Sequence, residues 1–191
     1  MVGNLSNYTK LDILRCFLNI RTGTSRNEIV TSLDLGEGTV RTILDSLKNR
    51  NLITSTRNGH SLTYKGLSLL GKINSMVELK DAALDEYKHL KKSAIRLRAS
   101  SSKKEYELRD IAVKNGAEAA LVLRYDGSKL IMPNYNKKDY LYEELQNHFN
   151  LVKDDLVVVS MAKDKRWAEI SNLAIAVETN YDFKKLFELL N

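Results

Sequence analysis

The tightest constraint on this chain is the punctuation of its first 75 residues, where cap and turn signals cut an apolar periodicity into short pieces. Leu11, Leu14 and Leu18, with Ile13, Phe17 and Ile20, recur at helical spacing and predict a first helix over about residues 8–21. Ser25-Arg-Asn-Glu28 has the form of a capping box, in which the serine caps the amide of Glu28 and the glutamate reaches back. It opens a short second helix with Ile29, Val30 and Leu33 on one face, which Asp34-Leu35-Gly36 breaks. Glu37 and Gly38 open a third helix with Val40, Ile43, Leu44 and Leu47 inward, at positions i, i+3, i+4 and i+7. This helix is predicted to end near Asn51.

The period then changes from helix to strand. Leu52-Ile-Thr-Ser-Thr56 reads as a strand, Asn58-Gly59 as a type I′ hairpin turn and Ser61-Leu-Thr-Tyr64 as the returning strand. Lys65-Gly66 leads into a fourth helix carrying Leu67, Leu69, Leu70 and Ile73. The order helix, helix, tight turn, helix, hairpin, helix predicts a winged helix-turn-helix over residues 1–75. The run of Val40, Leu44, Leu47, Leu52, Ile53, Gly59, Ser61, Leu62, Thr63, Lys65 and Gly66 resembles that of archaeal and bacterial regulators.

Such a module predicts where double-stranded DNA is read. The third helix lies in the major groove and offers its outward residues to base edges. With the apolar residues inward, Thr39, Arg41, Thr42, Asp45, Ser46, Lys48 and Asn49 face out. Arg41 is the best candidate for bidentate pairing to guanine, a contact worth about 1–3 kcal/mol of discrimination. Thr39, Thr42 and Ser46 suit base edges or phosphates, and Lys48 and Arg50 the backbone. Arg57, Asn58 and His60 at the hairpin tip suit phosphate or the minor groove. Asp45, on the same face, repels phosphate. Winged helices also dock proteins, so a protein-docking scaffold without DNA readout is the alternative function.

Charge agrees with the placement of the DNA site. Residues 1–75 hold ten Lys/Arg against five Asp/Glu, whereas residues 76–191 hold twenty against nineteen. The basic excess therefore belongs to the segment expected to meet phosphate. Cys16 is the only cysteine, which excludes an internal disulfide and a Cys-rich zinc site; its place in an apolar helical pattern predicts a buried, inert thiol. His60, His89 and His148 show no metal-ligand spacing, and no metal or cofactor is expected. No apolar run approaches the roughly 20 residues of a membrane span, and no signal pattern opens the chain, so a cytoplasmic protein without membrane association is expected.

Residues 76–92 are highly charged and read either as a helical linker or dimerisation segment or as an irregular connector. Residues 93–191 read as an α/β domain for dimerisation or effector binding. Ser93 to Ala99 alternates as a half-buried strand, with Ile95, Leu97 and Ala99 in and Arg96 and Arg98 out. Ser100 to Ser102 are candidate caps for a helix running to Asn115, with Leu108, Ile111 and Ala112 inward and Gly116 at its end. Ala119 to Tyr125 reads as a buried strand that Asp126-Gly127 turns into Lys129–Met132. A helix over about 138–149 carries Leu141, Leu145 and Phe149. Asp155 to Met161 is a continuous apolar strand, buried on both faces. A helix from Asp164 carries Trp167, Ile170, Leu173 and Val177, and a terminal helix begins at Tyr181. The whole chain is thus predicted to be α+β, a winged helix-turn-helix followed by a βαββαβ ferredoxin-like α/β sandwich.

The second half also resembles a family. Leu108-Arg-Asp-Ile-Ala-Val-Lys-Asn-Gly-Ala117, then Leu123, Tyr125, Gly127 and Lys129-Leu-Ile-Met-Pro133, resemble the signature of an archaeal domain of unknown function that follows a winged helix-turn-helix. The resemblance spans roughly residues 93–175 and implies an archaeal transcriptional regulator with an effector or dimerisation domain. Ser100 to Lys104 stand where such domains tend to carry a glycine opening the helix, so the sequence departs from the pattern where a backbone anion site would lie. Arg109, Asp110 and Arg124 are the candidate effector contacts, with structural ion pairing as their other reading. No phosphate loop, zinc-protease helix, nucleophile elbow or Cys–His pair is present in the sequence. The expectation is a homodimeric, sequence-specific DNA-binding regulator, not an enzyme, with a small-molecule effector as a second partner. A nucleotide-using enzyme with a winged-helix appendage is the more distant alternative.

Overall fold

A computed structural model describes residues 8–82, 84, 87–98, 103–133 and 142–190. The chain divides into two compact units, residues 1–72 with 185–191, and residues 73–184.

The first unit holds α1 (Lys10–Asn19), α2 (Arg26–Leu33), α3 (Glu37–Asn49) and a hairpin of β1 (Ile53–Thr56) and β2 (Gly59–Leu62). Most of α4 (Tyr64–Met76) follows. Capping boxes start the first two helices: Thr9 pairs with Asp12, and Ser25 with Glu28. Asp34, in the left-handed region at φ 54°, ends α2, and Gly36 begins α3 only three residues after α2 ends. Leu14, Phe17, Ile29, Leu33, Val40, Ile43 and Leu47 form the core between the three helices, none of them more than a trace exposed. Asp12 and Arg15 are fully buried beside them, their ion pair closed at 2.9 Å, and Arg15 also donates to the Leu33 carbonyl at 3.2 Å. That bond ties α1 to the end of α2.

The second unit is built on a five-stranded antiparallel sheet in the order β3-β4-β7-β5-β6. Its strands are β3 (Val77–Asp81), β4 (Lys91–Leu97), β5 (Ala119–Tyr125), β6 (Leu130–Ile131) and β7 (Leu156–Ala162). The helices are α5 (Glu105–Lys114), α6 (Glu143–Asn147), α7 (Lys165–Thr179) and the start of α8 (Tyr181–Glu188). Every residue of β7 is buried. Its Val157, Val159 and Met161 join Leu123, Leu145 and Phe149 in a core on one face. On the other face Ser160 donates to Asn172 of α7 at 2.7 Å, and Asn172 donates to the Ser93 carbonyl at 2.8 Å. A continuous apolar strand with layers on both faces belongs at the centre of a sheet, and β7 stands there.

That placement corrects the ferredoxin-like expectation. The sequential strands β4, β5, β6 and β7 were expected to interlock with the first and third central. Instead β7, the fourth of them, separates the mutually parallel β4 and β5, and the third, β6, lies at the edge. The physical reason is length: β6 pairs through only two residues, Leu130 and Ile131, and cannot replace a seven-residue strand at the centre.

Two further expectations change. Residues 77–81 are neither linker helix nor irregular connector; they form edge strand β3, which follows α4 without a loop. Because β3 adds a neighbour, β4 is not half-buried: Arg96, expected outward, is only 3% exposed, donates to the Asn74 carbonyl at 3.0 Å and lies 3.6 Å from Glu78. Arg98, also expected outward, pairs at 2.6 Å with the buried carboxylate of Asp155. Ala99, the caps at Ser100 to Ser102 and the helix start at 138–141 lie outside the described residues.

Candidate nucleic-acid interface

The sequence sets the outward face of α3 by filling the inward one. Val40, Ile43, Leu44 and Leu47 are buried; Arg41, Thr42, Asp45, Lys48 and Asn49 are exposed, and Thr39 and Ser46 half-buried. Lys65 Nζ donates to the Arg50 carbonyl at 3.0 Å and so satisfies an end group of α3.

The predicted contact residues fall into two sets. Arg41 stands on the open face, with its Nη2 3.2 Å from Glu37 one turn back. Lys48 is exposed on the same helix, and Thr42 returns its hydroxyl to the Gly38 carbonyl at 3.0 Å. Arg50 instead folds onto its own helix, donating to the Ser46 hydroxyl at 2.8 Å. Ser46 and Arg50 thus hold each other, whereas Thr39, Arg41, Thr42 and Lys48 form the presented row.

The hairpin is fastened to the loop before α2. The backbones of Thr24 and His60 exchange hydrogen bonds at 3.0 and 2.8 Å, and Gly23 N–H donates to the Ser61 hydroxyl at 3.0 Å. Gly59 takes φ +113°, and a Cβ there would stand 2.5 Å from the Gly23 carbonyl oxygen. Arg57 and Asn58 are exposed at the tip. His60 is set back, with Nδ1 2.9 Å from the Ser55 hydroxyl. Burial lowers its pKa most, and the positive charges of Arg26 and Lys48 lower it further against an opposing effect of Asp45. Cations from α2 and α3 therefore act on His60 in β2.

Sequence reasoning missed Arg26 and Glu37. Arg26 Nη1 lies 3.3 Å from the same Glu37 oxygen that Arg41 approaches, so one carboxylate bridges α2 and α3. The signal was present: Arg26 follows the cap Ser25 and so begins α2, and Glu37 precedes Arg41 by one turn.

Of the candidate effector residues, two lie on α5 and one on β5. Arg109 and Asp110 are exposed on α5, whose inward residues are Leu108, Ile111 and Ala112. Arg124 of β5 lies 3.5 Å from Glu105 in the first turn of the same helix. Among the described residues no group of three or more His, Cys, Asp or Glu is placed to hold a metal ion. Among them too, no helix is long and apolar enough to cross a membrane.

Comparison with known proteins finds two separate stretches of the chain that match family models. Residues 10–68 match the family model described as PH0730-like, N-terminal domain. Residues 90–179 match the Domain of unknown function (DUF4443). The chain is similar to a solved structure, Hypothetical protein PH0730 from Pyrococcus horikoshii OT3, with 25% identity and a TM-score of 0.82, over 97% of this chain and 100% of that one. No curated protein matches the chain. These matches are to uncharacterised families, one with an archaeal relative.

Proposed function

We propose that the protein is a sequence-specific, double-stranded DNA-binding transcription regulator whose first unit is a winged helix-turn-helix. In this reading α2, the turn at Asp34–Gly36 and α3 form the helix-turn-helix, and the β1–β2 hairpin is the wing. The observation that carries it is α3 itself: four buried apolar residues fix one side, and Arg41 and Lys48 stand exposed on the other. The groove-reading helix of such a module needs that division between a packed and a presented face. The basic bias of residues 1–75 supports it.

Arg41 would pair with guanine, Thr39 and Thr42 would meet base edges or phosphates, and Lys48, Arg57 and Asn58 would contact the backbone or minor groove. The protein acts as a cytoplasmic homodimer, its two recognition helices about 34 Å apart on a palindromic site. Tyr106 and Val113 of α5 and Trp167 of α7 are exposed apolar residues of the second unit and are candidates for the dimer contact. Effector sensing is assigned to the same unit. Selection of duplexes from a randomised pool tests the reading: it expects enrichment of a palindromic site, and a pool that stays random contradicts it.

One feature favours a second reading. Glu37 and Asp45 place two carboxylates beside Arg41 and Lys48, a mixed charge pattern that also suits docking of a protein partner.

A further inference from the structure

A single carboxylate oxygen of Glu37 meets two arginines on the proposed reading surface. Arg26 Nη1 approaches it to 3.3 Å from the first residue of α2, and Arg41 Nη2 to 3.2 Å from the second turn of α3. All three side chains are partly exposed, between 40% and 60%, so the pairs contribute little to folding. An acid in the first turn of α3 also offsets the helix dipole. The dipole, however, asks only for negative charge near the helix start. It does not ask that one oxygen lie between arginines from two helices. Arg26 is further confined because its Nε is buried, which limits the guanidinium's freedom to turn away from Glu37.

We infer that Glu37 is a specificity-determining residue of the DNA-reading surface, holding Arg26 and Arg41 back from indiscriminate phosphate contact and orienting Arg41 for a base edge. The inference rests on the DNA-binding reading proposed above. An untethered surface arginine is drawn to the nearest phosphate, and that attraction is blind to sequence. An arginine already paired with a carboxylate gains less from a lone phosphate. A guanine edge still offers it two acceptors in its own plane. Glu37 thus lowers affinity for random duplex more than for a cognate one, which is specificity gained by a repulsive element.

The test uses the full chain with two probes: a duplex enriched from a randomised pool, and poly(dI-dC). Glu37→Gln is compared with wild type across a salt series, and Glu37→Asp, which keeps the charge but shortens the reach, is the second variant. Thermal unfolding checks that both variants keep the fold. Glu37→Gln is expected to bind poly(dI-dC) several-fold more tightly. Its salt slope on that probe should steepen by about 1–2, one increment for each arginine freed to contact a phosphate. The ratio of enriched to random affinity should fall by about fivefold or more. Glu37→Asp should lower that ratio with little change on poly(dI-dC). A wild type that binds the enriched duplex, with Glu37→Gln leaving affinities and slope unchanged or weakening both probes alike, overturns the inference and leaves the DNA reading standing. A wild type that binds neither probe at low salt overturns both.

Discussion

Thr24 and His60 exchange backbone hydrogen bonds at 3.0 and 2.8 Å, and this bridge makes the loop between α1 and α2 a third partner of the β1–β2 hairpin. A two-stranded hairpin alone is marginal in water. Here β2 is held just behind the turn by that bridge, and one residue further by the Gly23 amide on Ser61. The tip residues Arg57 and Asn58 therefore project from a fastened hairpin.

Gly59 is what allows the approach. At φ +113°, with the Gly23 carbonyl 2.5 Å from where a Cβ would stand, Gly59→Ala imposes both backbone strain and a clash with backbone. The substitution is expected to destabilise the first unit by about 2–3 kcal/mol, read as a lowered urea midpoint. An unchanged midpoint would show that the contact between the hairpin turn and the Gly23 loop gives way freely.

His60 makes the same region sensitive to acid. Its pKa in the folded protein lies below the ordinary imidazole value, chiefly through burial and secondarily through Arg26 and Lys48. The unfolded chain therefore takes up a proton on this residue at higher pH than the folded one. Stability is untouched by His60 above about 6.5. It declines as pH falls from there through the folded value, where the loss levels off. His60→Gln should remove that part of the decline, measured as the difference in urea midpoint between pH 7.5 and pH 5.5 for the two proteins. Equal differences would place no titration at His60.

Cys16 is buried in α1, and burial pushes its thiol up to about 12 against the opposing charge of Arg15. The reactive species is the thiolate. At pH 8 the folded protein should be inert to a thiol-specific chromogenic reagent, and denaturant should release one equivalent. Rapid reaction without denaturant would contradict the packing of α1.

In the second unit, Asn172 joins α7 to two strands through Ser160 and the Ser93 carbonyl, all of them buried. Asn172→Ala leaves both partners without that contact and opens a cavity. The expected cost is about 2–4 kcal/mol, seen as earlier loss of the sheet in hydrogen exchange. Retained protection of β4 and β7 amides would count against the network.

The first unit was largely legible because its signals are local. Ser25 and Glu28 form a capping box within four residues, the Asp34–Gly36 break separates two helices, and Asn58-Gly59 turns a hairpin in place. The second unit depends on pairings far apart in the chain. Val77 and Leu79 do alternate with Glu78 and Lys80 as strand residues do, but the charged run they begin obscured that period. Only pairing with β4 makes residues 77–81 a strand, and only that strand buries Arg96. The central place of β7 follows from competition with the short β6, which no local pattern expresses. In the candidate site, the outward row on α3 followed from its period, whereas the shared oxygen of Glu37 needed the α2–α3 packing to appear.

Binding of duplex DNA across a salt series, by wild type and by Arg41→Ala, tests the central claim most directly. Arg41 is exposed, so its removal leaves the helical core intact. Wild-type affinity is expected to fall steeply with salt. The mutant is expected to lose about 5- to 150-fold in preference for the enriched duplex over random DNA, the equivalent of about 1–3 kcal/mol for one base contact. Duplex binding that is missing at low salt, or a preference that survives Arg41→Ala unchanged, would contradict the reading of DNA by α3.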